Sequence, residues 1–171
     1  MLEKNEKNLP YLIVFLIILA LDLGSKAFFS DWLRLGQTKK VIPGFFNFTL
    51  VHNKGAAFGV GSDWSTPFFL ATSFLAMAVV IYLLKTIKPH EVLARWGLVM
   101  ILSGALGNII DRIRLGYVVD FLDVYYKSHH WPVFNIADSA ITAGAILFAL
   151  DSLFHAKKKV EVSAPQVEVK E

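Results

Sequence analysis

The sequence predicts an α-helical integral membrane protein with four transmembrane helices and a small β-sheet outside the bilayer, and three observations predict it. Of 171 residues, 55% are hydrophobic and only 18% charged. Four separate stretches approach the roughly 20 mainly apolar residues needed to cross a hydrocarbon core of about 30 Å. The two longer connections between them are rich in aromatic and β-branched residues, the composition of strands. One domain over residues 1–155 is expected at this length.

The first span is expected at residues 11–29, with Pro10 in the first-turn position that tolerates a missing N–H, and with Asp22 and Lys26 near its far end. Lys4 and Lys7 precede it, as in a signal peptide, but no small-x-small cleavage pattern comes after it, so the span is expected to stay. The connection at 30–66 holds Val41 to Val51, bounded by turn formers, which reads as one or two strands. The second span, 67–84, carries no charge, and the third, 93–113, ends among Asn108, Asp111 and Arg112. The connection at 114–135 contains Tyr117 to Phe121, a short β-like segment, then an aromatic and polar stretch from Tyr125 to Trp131 that suits a membrane interface. The fourth span, 137–154, starts beside Asp138, and the basic tail 156–171 is too polar to pack and is expected to be disordered.

Lysines and arginines set the orientation. Lys4, Lys7, Lys85, Lys88, Arg95 and Lys157 to Lys159 fall in the two tails and the short connection between spans two and three, which puts both termini in the cytoplasm. Asp22, Lys26, Asn108, Asp111, Arg112 and Asp138 then gather at the outer interface. Ionisable groups at membrane depth cost several kcal/mol unless paired or hydrated, so their clustering predicts a polar site there.

Several chemistries are disfavoured. A formal charge of +3 without a clustered basic face argues against nucleic acid. With no cysteine, disulfides, thiolate metal sites and cysteine nucleophiles are excluded. The five histidines show no His-Glu-x-x-His spacing, and Ser25 and Lys26 are consecutive, on different helix faces, which does not suit a serine-lysine pair. A transporter would place its polar groups nearer the bilayer midplane.

Asp120 and Asp138 are the candidate catalytic pair. Two carboxylates in one partly desolvated site do not both ionise easily, so one keeps a proton while the other remains a base, the arrangement an aspartic peptidase needs. Asp138 as a helix cap, with Asn135 or Ser139 competing, and Asp120 as a solvated loop residue are the plainer readings, and Asp123 is an alternative partner. Asp22 and Lys26, four apart with the acid first, form a favourable helical ion pair of structural use. Asn108, Asp111 and Arg112 share one helical face and could order the outer loop. Ser103 and Gly107 allow close helix packing. Asn53-Lys54-Gly55-Ala56-Ala57-Phe58-Gly59 combines small residues with an Asn able to bind a peptide, or is an ordinary turn.

Five blocks in order resemble the lipoprotein signal peptidase family, the type II signal peptidases of bacterial cell membranes. They are Asp22 to Lys26, Asn53 to Gly59, Gly107 to Arg112, Val119-Asp120-Phe121 and Phe134 to Asp138. The resemblance implies an aspartic endopeptidase that removes signal peptides from diacylglyceryl-modified prolipoproteins, on the amino side of the lipidated cysteine, with Asp120 and Asp138 catalytic. It further implies that Asn53, Gly55, Asn108, Arg112, Asn135 and Ala137 line or brace the substrate site, supported by Asp22 and Lys26. A short interfacial helix beside the sheet, no metal or other cofactor, a location in the bacterial inner membrane among its lipids, and a monomeric enzyme are expected on the same grounds. A non-enzymatic membrane protein that binds lipid or peptide at its outer face is the alternative.

Overall fold

Each apolar run becomes one helix in the computed structural model, which describes residues 2–55 and 66–163, with side chains placed for 8–55 and 67–154. The helices are α1 (Leu2–Trp32), α2 (Thr66–Thr86), α3 (Val92–Leu115) and α4 (Ile136–Ser163), and all four contain segments long and apolar enough to cross a membrane. Two ends differ from expectation. α1 begins at Leu2, so Pro10 lies inside the helix rather than in its first turn. The Glu and Lys residues ahead of it are good helix formers, and a proline there deletes only one backbone donor. α4 runs on to Ser163, past the expected start of a disordered tail at 156, through an alanine and three lysines of good helix propensity. Residues 164–171 lie outside the described residues.

α3 is the central helix and touches the other three. Its approach to α4 requires missing side chains: a Cβ on Gly97 would meet the Gly144 carbonyl, and one on Gly104 would meet the Ala137 carbonyl. Small residues let backbones approach where no solvent effect drives helices together. The outward surfaces of α1, α2 and α4 carry exposed Leu12, Ile17, Leu75 and Leu153, the composition of a lipid-facing shell.

At one end of the bundle lies an antiparallel sheet of order β1-β2-β3-β4. The 41–51 stretch resolves into two strands, β1 (Thr38–Ile42) and β2 (Phe46–Asn53), joined through Pro43 and Gly44. The segment expected near 117–121 is the longer β3 (Val118–Tyr126), and after it comes a two-residue β4 (His129–His130). β2 and β3 pair with an irregularity between Phe48 and Val51, beyond which Val51 faces Asp120 and Asn53 faces Val118. Such bulges re-aim side chains. Phe29 of α1 and Leu33 just after the helix pack with Leu50, Val119 and Phe121 under the sheet, with the Phe29 and Phe121 rings stacked at 4.2 Å. The described parts of the two sheet-end connections contain no short helix, and residues 56–65, including most of the Asn53 to Gly59 block, lie outside the described residues.

Candidate active site

Asn135 begins α4 and does so reciprocally with Asp138: its Oδ1 accepts the Asp138 backbone N–H at 2.8 Å, while Asp138 Oδ2 accepts the Asn135 N–H at 3.3 Å. This is a capping box, in which the third residue reaches back to the cap. Asp138 is therefore the box partner and not the cap, and its other oxygen is left to take a hydrogen bond from Asn108 Nδ2 at 2.8 Å. Asp120, on β3 and 1% exposed, accepts from Asn135 Nδ2 at 2.7 Å and from Asn53 Nδ2 at 2.9 Å. Asn135 is thus bonded to both aspartates.

Beneath them, one ammonium joins α1 to α3. Lys26 Nζ stands 2.8 Å from Asp22 and 3.0 Å from Asp111, and donates to Asn108 Oδ1 at 2.9 Å. Each of its carboxylate partners grips a backbone N–H: Asp22 accepts from Ala137 at 2.9 Å and Asp111 from Val119 at 3.1 Å. Those two residues immediately precede Asp138 and Asp120. Gly107 makes room for this cluster, because a Cβ there would strike the Asp22 carboxylate. Arg112 donates to the Gly55 carbonyl at 3.4 Å and lies 5.7 Å from the Phe69 ring, which ties α2 to the same region by a cation–π contact. α3 stops at Gly116, whose φ of 80° and N–H to the Arg112 carbonyl close the helix and send the chain directly into β3.

Burial pushes the Asp120 carboxyl up to about 7, helped by the Asp138 charge and opposed by the amides of Asn53 and Asn135. Asp123, three residues further along β3, behaves differently. Burial acts to raise it too, but hydrogen bonds from His130, Asn47 and Thr49 outweigh that and hold it below the usual carboxylate range. Its side chain is taken up by β2 and β4 and does not join Asp120 or Asp138, so its candidacy as the alternative partner is not met.

Two cavities open onto the pair. One of about 630 Å³ is lined by Asn108, Arg112, Asp138, Ile141 and Ile146 and runs along α4. The other, of about 600 Å³, is lined by Asp120, His52 and His130. Asn53, Gly55 and the segment Trp131-Pro132-Val133 belong to both.

All ten residues singled out from the sequence therefore meet at the sheet end: Asp120, Asp138, Asn53, Gly55, Asn108, Arg112, Asn135, Ala137, Asp22 and Lys26. Sequence reasoning misses two features. It groups Asp111 with Asn108 and Arg112 as ordering a loop, without its pairing to Lys26; the available signal is its position three residues after Asn108, on the same face. The Asp123–His130 pair has no local signal, because it depends on a hairpin whose loop lacks the usual turn residues.

A family model described as signal peptidase II matches residues 14–154. The lipoprotein signal peptidase of Geobacter metallireducens is 47% identical over 143 residues, covering 82% of this chain and 88% of that protein. That of Ectopseudomonas mendocina is 43% identical over 161 residues, covering 92% and 95%. Among solved structures, a bacterial membrane enzyme determined by the in meso method superposes with a TM-score of 0.75 at 31% identity, covering 94% of each chain.

Proposed function

The chain belongs to the signal peptidase II family and is a multi-pass membrane peptidase of the aspartic type, and on that premise we propose that Asp120 and Asp138 are its catalytic pair. The observation that carries the assignment is Asn135, which bonds to both carboxyl groups at the meeting point of α4 and β3. The substrates are lipoprotein precursors, as the names of its relatives indicate, cut before a diacylglyceryl-modified cysteine. Family membership favours this reading over a non-enzymatic lipid- or peptide-binding protein.

The pair works with one proton. Asp120, whose carboxyl burial and the Asp138 charge hold up to about 7, keeps it through the acid range and gives it up around neutrality. Asp138 is the base: the Asn108 amide, the Asn135 N–H and the amino end of α4 all offer positive poles to its anion. A water between them attacks the scissile carbonyl carbon and gives a proton to Asp138, while the Asp120 proton goes to the carbonyl oxygen. The tetrahedral diol then collapses. Its C–N bond breaks, Asp138 delivers its proton to the leaving nitrogen, and a diol hydroxyl returns one to Asp120. Two carboxyl groups and a water balance the hydrolysis.

The brace residues hold this geometry. Asp22 and Asp111 fix the backbones that carry the two aspartates, Lys26 is the cation they share, and Arg112 fixes Gly55. The cavity along α4, with Ile141 and Ile146 on its wall, accepts the apolar signal peptide and the acyl chains. Positive residues at the opposite end of the bundle favour a sheet end outside the cell membrane and both termini in the cytoplasm. The ten named site residues meet within one chain, which supports a monomeric enzyme.

The test is a gel-shift cleavage assay in detergent micelles with lipidated and unlipidated precursors side by side. Cleavage of the lipidated precursor alone, lost in Asp138→Asn, is expected. Cleavage of both would remove the lipid requirement, and undiminished cleavage by Asp138→Asn would remove the catalytic assignment.

A further inference from the structure

The second cavity contains a titratable pair that the mechanism does not use. His130 Nδ1 stands 2.7 Å from Asp123 Oδ1, and its ring stacks on Tyr125 at 4.9 Å and 10°. Asp123 is itself fixed on β2, since Asn47 Nδ2 donates to its Oδ2 at 3.1 Å and Thr49 Oγ1 at 2.8 Å. His130 is half exposed and faces the cavity that holds Asp120. One carboxylate thus couples a strand rigidly packed on the bundle to the last residue of a strand only two residues long.

The segment after His130 gives the pair its consequence. Trp131, Pro132 and Val133 form an arch between two backbone anchors, the Trp131 N–H on the Val124 carbonyl at 2.8 Å and the paired bonds of Phe134 with Leu122. This arch is the wall common to both cavities. Just beyond it Asn135 begins α4 and reaches both aspartates. β4 pairs with β3 only through Tyr125 with His130 and Tyr126 with His129, so its backbone hold is short. The pair secures the arch where the ladder is weakest.

We propose that His130 and Asp123 are positioning residues for substrate: their bond sets the Trp131–Val133 arch that forms the wall shared by the two cavities, and so governs how well precursor binds without taking part in bond cleavage. The proposal rests on the peptidase reading for its substrate and on the hairpin geometry for its mechanism. An imidazolium makes a charge-assisted bond to Asp123, stronger than the neutral ring's. Protonation therefore tightens the arch and deprotonation loosens it. The other groups around His130 are Asp123 and Tyr125 on β3, His129 beside it on β4, and His52, Lys54 and Asp120 across the cavity.

The experiment measures kcat and KM separately on lipidated precursor in micelles, for the parent, His130→Gln and Asp123→Asn, from about pH 5 to about pH 8. Expected are a KM raised about fivefold at the acid end in each variant, kcat within about twofold, and no further loss in the double variant. The parent KM should rise with pH and the His130→Gln KM should stay flat. In parallel, a protein keeping Trp131 while Trp32, Trp64 and Trp96 are replaced by Phe reports the arch through its emission, which should titrate with pH and lose that titration in His130→Gln. An unchanged KM, or a loss confined to kcat, overturns the proposal. If the parent cleaves no precursor, the peptidase reading fails alone, and the emission decides the pair: a titration that survives His130→Gln overturns it. If His130→Gln does not fold, Asp123→Asn decides by the same readouts.

Discussion

Two carboxyl groups three residues apart on β3, both almost fully buried, meet opposite fates. Asp120 is held by amides from Asn53 and Asn135 and faces the charge of Asp138, and its carboxyl rises to about 7. Asp123 is held by a side-chain amide, a hydroxyl and an imidazole, and stays below the usual range. Burial acts to raise both, but it leads at the more deeply placed Asp120 and is outweighed at Asp123. The neighbours complete the separation: the Asp138 charge adds to burial at Asp120, whereas hydrogen bonds from His130, Asn47 and Thr49 win at Asp123. Three residues apart on one strand, the two groups point to opposite faces by ordinary alternation, one to the helix ends and one to the hairpin, and the extra residue in β2 keeps that strand's partners opposite both.

The widest expected gap between the two regions is in turnover. Asp120→Asn or Asp138→Asn should lower kcat by roughly 10²- to 10⁴-fold, the usual contribution of a general acid or base. Asp123→Asn, the same chemical change three residues away, should leave kcat within about twofold. Steady-state cleavage of lipidated precursor reads both. Equal losses in the two places would mean that the catalytic pair had been drawn in the wrong position.

The next effect is on stability and belongs to the Asp120 side, because that side is braced from the spans. Lys26 is 3% exposed and is the shared partner of Asp22 and Asp111. Lys26→Met would leave two buried carboxylates without their cation, and breaking such a pair costs about 3–5 kcal/mol. A melting temperature lower by roughly 10 °C is expected in micelles. His130→Gln, which removes the partner of a carboxylate on the sheet, should move melting by no more than about 3 °C. A Lys26→Met protein that melts with the parent would show that the cluster is dispensable to the fold.

Titration should separate the regions again. The working pair carries one proton, so kcat should fall on the alkaline side as Asp120 loses it, through about pH 7. It should also fall on the acid side as the base is protonated, giving a bell. Well beyond the alkaline limb the loss should approach about tenfold per pH unit. Asp123→Asn should leave the kcat bell in place and alter only KM. A kcat flat from acid to alkaline would exclude the shared proton.

How much of the molecule is legible in the sequence differs between the same two regions. The helices are plain, because length and apolar composition decide them, and the convergence of Asp22, Lys26, Asn108, Arg112 and Asp138 comes from counting spans. Asp120 and Asn53 are legible as candidates, one an acid beside an apolar segment and the other an amide in a run of small residues, and ordered blocks resembling a family sharpen both. Their meeting depends on β2 pairing with β3 across 67 residues, which no local pattern encodes. The capping box of Asn135 and Asp138 is half visible, as two residues competing for one cap. The hairpin at Asp123 is hidden for a physical reason: its two loop residues are Lys127 and Ser128, with Lys127 at φ 56°, where Asn or Gly would ordinarily announce a turn. Pro10 misleads in the other direction, since a proline in a span looks like a start and here sits within the helix.

The finest distinction lies in a single hydrogen bond. Asn53 Nδ2 donates to Asp120 Oδ2, and its own Oδ1 takes the Gly55 N–H, which fixes the amide in the orientation that favours an ionised Asp120. Asn53→Ala removes a group that lowers the Asp120 carboxyl, so Asp120 should hold its proton to higher pH and the alkaline limb of kcat should move up. One net hydrogen bond of about 1 kcal/mol corresponds to roughly half to one pH unit. Asn47→Ala removes the equivalent donor from Asp123 and should leave that limb where it is. The contrast survives a general loss of activity in either variant, because it is read from the position of the limb and not from its height. An alkaline limb that moves down in Asn53→Ala, or that moves equally in Asn47→Ala, would mean that the descending group is not Asp120. The proton of the working pair would then have to be assigned to Asp138.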